Sequence, residues 1–87
     1  MFTPKEELQA LAKMIEAVTV EGNRSPLEVI GAKVSALSDK VRNQDIQAEI
    51  LAFGEIIMSL GSVEVDNFGI ATDYIAYELD KVAESMQ

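Results

Sequence analysis

The stretch Ser25-Pro26-Leu27-Glu28-Val29-Ile30-Gly31-Ala32-Lys33-Val34-Ser35-Ala36-Leu37-Ser38-Asp39-Lys40-Val41-Arg42-Asn43-Gln44-Asp45 decides the fold. It opens with a hydroxyl, a proline and a glutamate in the order that starts a helix. The hydroxyl can accept from an orphan backbone amide, and the glutamate three positions on can return to the amide of the cap residue. Proline at the first helical position loses nothing, because its missing N–H has no helical partner there. Behind this start Leu27, Ile30, Val34, Leu37 and Val41 recur at alternating spacings of three and four, the seam of knobs-into-holes packing. The spacing predicts a helix over 26–42. Arg42-Asn43-Gln44-Asp45 then supplies fresh capping residues. The following seam of Ile46, Ile50, Phe53, Ile57 and Leu60 would lie roughly 140° from the first on a continuous helix. A break is therefore expected, with a separate helix over 45–60.

Outward from this centre, Thr3-Pro4-Lys5-Glu6 repeats the same helix start. It predicts a first helix over 4–19, with Leu8, Leu11, Ile15 and Val18 on one stripe and Lys5, Gln9, Lys13 and Glu16 opposite. Gly22-Asn23 falls in the turn before the second helix. Gly61-Ser62 ends the third, glycine taking the left-handed position just past the helix. A last helix is expected over 66–85, its core stripe formed by Phe68, Ile75, Leu79, Val82 and Met86 with support from Ala71 and Thr72. Val63-Glu64-Val65 is the sole period-two alternation and is too short for a strand. The expected fold is all-α: one small antiparallel helical bundle of three to four helices over residues 1–87.

The chain has 87 residues, 48% of them hydrophobic and 25% charged, which is globular rather than disordered composition. A chain this short buries only about 60–65% of its unfolded surface. It has no cysteine and no histidine, so disulfides, zinc sites and thiol or imidazole catalysis are excluded. With no staple available, self-association is a natural way to bury more apolar area. No apolar signal core or membrane-length span is visible, and the expectation is a cytoplasmic protein.

Charge is unevenly divided. Residues 1–43 hold six acids and six bases, whereas residues 44–87 hold nine acids and the single base Lys81, so the second half carries the whole net charge of −8. Phosphate neutralisation needs clustered lysine and arginine, so direct nucleic-acid binding is not expected, nor is adsorption to an anionic membrane. On a helical wheel Asp66, Asp73, Asp80 and Glu84 fall within about 40° of one another and form an acidic surface along the last helix. Such a stripe either keeps a small protein soluble or meets a basic partner.

The last helix also carries a second ridge, Ile70, Tyr74, Tyr77 and the stem of Lys81, roughly 130–150° from its core stripe. Tyrosine joins a large flat apolar area to one polar tip and suits interfaces. Leu51 and Met58 lie outside the seam of the third helix with Gly54 between them, a second apolar excess. These six residues are the candidate partner or oligomer interface.

Catalytic equipment is thin. Glu6 and Glu7 point about 100° apart, there is no glycine-rich phosphate loop, and two arginines offer little to an anionic substrate. A calcium loop counted from Glu64 puts Phe68 at position 5 and Ile75 at position 12, where a bidentate glutamate is required. Acyl carrier proteins share this size and class, but their Asp-Ser-Leu attachment triplet is replaced by Met58-Ser59-Leu60 near a helix end. No catalytic residue, cofactor or metal is therefore expected. The expected function is protein–protein contact by a non-catalytic acidic helical protein, an adaptor, inhibitor or assembly component acting as a homo-oligomer. The alternatives are an acidic nucleic-acid mimic that antagonises a DNA- or RNA-binding protein, and a small carboxylate enzyme. Size and charge also fit a phage accessory protein.

Overall fold

Thr3 and Glu6 cap the first helix reciprocally: the Glu6 amide donates to Thr3 Oγ1 at 3.2 Å, and the Thr3 amide donates to Glu6 Oε1 at 3.2 Å. A computed structural model of the chain describes residues 3–21, 24–62 and 67–86. Its helices are α1 (Pro4–Glu21), α2 (Pro26–Leu37), α3 (Gln44–Ser62) and α4 (Phe68–Ser85), with a 3₁₀ turn at Ser38–Lys40. No strand occurs among the described residues. The all-α bundle expected from the sequence is the fold observed.

The helices run antiparallel around one core. Leu8, Ile15, Leu27, Ile30, Val34, Ile50, Ile57 and Leu79 are fully or almost fully buried at its centre. Burial of aliphatic side chains of this size stabilises by about 1.5–3 kcal/mol each. The closest partners are α2 with α3 and α1 with α4; α1 and α2 pack less tightly, as do α3 and α4.

Two glycines explain the α2–α3 approach. A Cβ built on Gly31 would stand 2.8 Å from both the Gly54 carbonyl oxygen and the Met58 amide nitrogen. One built on Gly54 would stand 3.0 Å from the Gly31 carbonyl oxygen and overlap the Ser35 hydroxyl. The helices therefore touch backbone to backbone. Across the other close pair the hydroxyls of Thr19 and Thr72 hydrogen-bond to one another. Each also meets a carbonyl of its own helix, Ile15 for Thr19 at 3.1 Å, and Phe68 and Gly69 for Thr72 at 3.2 and 3.1 Å.

Several boundaries differ from the sequence expectation. The second helix stops at Leu37 rather than 42: the chain tightens into the 3₁₀ turn and Val41 is extended, with φ −103° and ψ 129°. Val41 still packs against the core, which is why the seam spacing runs on past the helix end. The expected break before α3 is present, and Asn43 makes it, its Oδ1 accepting from the amides of Asp45 at 2.9 Å and Ile46 at 3.2 Å. Gly61 is not a terminator. It lies inside α3, where its missing side chain admits Leu27 and Glu28 of α2. Ser25 has right-handed helical dihedrals and makes no side-chain cap hydrogen bond. The first helix extends to Glu21, and the last begins at Phe68, with Asn67 left-handed (φ 60°) just before it. The expected turn at Gly22-Asn23 lies outside the described residues.

Candidate functional site

On α4, Thr72, Ile75, Ala76, Leu79, Val82 and Ala83 are buried, and Met86 is buried just past the helix end. At 100° per residue these side chains define an inward direction, and Ile70, Tyr74, Tyr77 and Lys81 lie about 170° from it. They occupy the outermost face of the helix. Ile70 is 70% exposed, Tyr74 61% and Tyr77 60%. The Lys81 ammonium stands 5.4 Å from the centroid of the Tyr77 ring, close enough for a cation–π contact that steadies both side chains. Three large apolar or aromatic groups in one line, turned wholly away from the core, form a surface that the fold itself leaves uncovered.

Acids border this line. Asp73 and Glu84 are exposed and Asp80 is half-buried, all on one flank of the ridge. Asp66 lies outside the described residues. No group of three or more acidic side chains among the described residues is arranged to hold a metal ion. No described helix is long and apolar enough to cross a membrane.

The two candidates on α3 do not join the ridge. Leu51 is 43% exposed. Met58 is half-buried and turned to α2, its Cγ filling the space over Gly31. The apolar excess at Met58 is thus used within the chain, as cover for the glycine contact.

A second surface was not legible from the sequence. Between α1 and α2 runs an open groove of about 340 Å³. Ala10 and Leu11 from α1 and Ala36 and Leu37 from α2 form its apolar floor. Lys33 and Lys40 stand along the α2 rim and Glu7 on the α1 rim, where Lys40 Nζ meets Glu7 Oε2 at 3.3 Å. The small side chains Ala10 and Ala36 explain the gap: neither can span to the facing helix. Each reads alone as a solvent-side residue, and only their pairing across two helices makes a groove.

Comparison of the chain with protein-family models, with curated proteins and with solved structures returns no significant match.

Proposed function

We propose that this protein is a non-catalytic contact module that works through the outer face of α4, with a second copy of itself as the first partner. The observation that carries this reading is the line of Ile70, Tyr74 and Tyr77, each at least 60% exposed and aimed opposite to the core. Isolated exposed apolar residues need no explanation, but a contiguous ridge with two tyrosines has the composition of an interface centre. The thin stability expected of an 87-residue chain adds a reason to bury it.

Light scattering behind size exclusion, over a concentration series, tests the reading. The expected result is a mass above 9.5 kDa that grows with concentration. Tyr74→Ala with Tyr77→Ala should return it to 9.5 kDa with an unchanged circular dichroism spectrum, because both side chains lie outside the core, and should remove the concentration dependence of melting that assembly supplies. Assembly that survives the double substitution removes the ridge from the mechanism. A wild-type chain that stays monomeric throughout removes self-contact and leaves a foreign protein as the partner of α4.

A further inference from the structure

Beyond the ridge lie the α1–α2 groove, the buried Ser35 hydroxyl, the cleft between Pro4, Asn43 and Met86 at one end of the bundle, a shallow pocket beside Met58, and single exposed apolar side chains such as Val20 and Val29. The groove has a counterpart elsewhere in the same molecule. We infer that the groove between α1 and α2 is the receptor for α4 of a second copy, so that the chain assembles head to tail. The inference rests on the reading that the outer face of α4 makes contact, and it names what that face meets.

Charge selects this pairing over ridge on ridge. α4 carries Asp73, Glu78, Asp80 and Glu84 against one base, Lys81. Two copies joined α4 to α4 would bring these carboxylates together as the contact loses water, and like charges across an interface oppose it. The groove offers the opposite sign on its α2 rim, at Lys33 and Lys40.

Spacing agrees with charge. Asp73 and Asp80 are seven residues apart, about 10.5 Å along an α-helix. Lys33 and Lys40 are also seven apart, about 12 Å once the 3₁₀ turn is allowed for. Asp73, Asp80 and Glu84 sit on one flank of the ridge and the half-buried Glu78 on the other, so an α4 helix lying in the groove can set the three on the lysine rim while Tyr74 and Tyr77 rest on the apolar floor. In the same orientation Lys40, which meets Glu7 within its own chain, gains a second carboxylate, and Lys81 offsets the approach of Glu78 to Glu7 on the α1 rim. An amphipathic helix in an apolar groove is a standard recognition mode.

Groove and ridge lie on different sides of one chain, since the ridge points out from α4 and the groove opens between α1 and α2. The contact is therefore heterologous: it propagates into rings or open chains of subunits and does not stop at a two-fold dimer.

Mixing two half-blocked variants tests this. Lys33→Glu with Lys40→Glu disables the groove and keeps the ridge; Tyr74→Ala with Tyr77→Ala disables the ridge and keeps the groove. All four side chains are exposed, so circular dichroism should match the wild type, while melting should fall slightly, because assembly no longer supports the fold and Lys40→Glu sets a second carboxylate against Glu7. Each variant alone should remain near 9.5 kDa, and the equimolar mixture should give a 1:1 complex of about twice that mass that grows no further. The milder Lys33→Gln with Lys40→Gln, which removes attraction without adding repulsion, should weaken wild-type assembly about tenfold. If the glutamate variant assembles as well as the wild type while the tyrosine variant does not, the groove inference is overturned and the α4 reading stands. If both variants assemble, both fall. A wild type that remains at 9.5 kDa also overturns the inference, and the groove is then open to a foreign acidic helix.

Discussion

Gly31 and Gly54 exclude each other's side chains: a Cβ on either would lie within 3.0 Å of the carbonyl oxygen of the other. The relationship is reciprocal because α2 and α3 cross with their backbones in contact at that level. Glycine in a helix costs about 1 kcal/mol relative to alanine. Here the cost is offset by close packing along the whole α2–α3 seam, from Leu27 and Glu28 against Gly61 to Ser35 against Gly54.

Gly31→Ala and Gly54→Ala should each destabilise by about 1–3 kcal/mol, since forcing a methyl group against backbone outweighs the gain in helix propensity. Gly69→Ala is the control. Its Cβ would meet only Thr19 Cγ2, at 3.5 Å, an ordinary contact. That substitution should stabilise by about 0.5–1 kcal/mol. Urea unfolding of the three variants checks the ordering, and an unchanged midpoint for Gly31→Ala would sink the steric argument.

Ser35 carries a different strain on the same seam. Its hydroxyl is buried without a hydrogen-bond partner. Leaving a buried polar atom unpaired costs about 1–3 kcal/mol, and alanine is the better helix former. Ser35→Ala should therefore raise stability by about 1 kcal/mol, read from the thermal midpoint. A clear loss would mean that the hydroxyl is satisfied in solution.

The Thr19–Thr72 pair predicts non-additivity. Thr72 is fully buried, and its hydroxyl meets Thr19 and two carbonyls of its own helix. Thr72→Val should cost about 1–2 kcal/mol, because it strips a buried hydrogen-bonding group while keeping the shape. Thr19→Val with Thr72→Val should cost less than the two single losses combined. Strict additivity in a double-mutant cycle would show that the two hydroxyls do not interact.

Helix existence was legible because caps and seams are local. Thr3 with Glu6, Asn43, and the seams of α2 and α3 each lie within a few turns of sequence. What escaped was set by the neighbouring helix. Val41 keeps the seam spacing because it still reaches the core, although its backbone is extended. Gly61 has the look of a terminator in isolation, yet the approach of Leu27 and Glu28 is what it serves. Met58 reads as spare apolar surface until Gly31 is seen beneath it. The ridge of Ile70, Tyr74 and Tyr77 was found from periodicity alone, since a helix face opposite a strong core stripe needs no partner to define it. The groove needed two helices at once, with Ala10 and Ala36 brought level by the fold.

The pairing of α1 with α4 has a consequence for synthesis. In a chain made from its N-terminus, α1 emerges first and its closest partner last. At a translation rate of about 5–20 residues per second, the 46 residues between Glu21 and Phe68 separate them by roughly 2–9 s. Over that interval α2 and α3, close in sequence, can already zip together through their glycines, while Leu8, Leu11, Ile15 and Val18 lack the helix that covers them. The nascent chain is thus a locked central hairpin trailing an uncovered apolar helix. That interval is when a holdase chaperone would find its grip, and release would coincide with the arrival of α4.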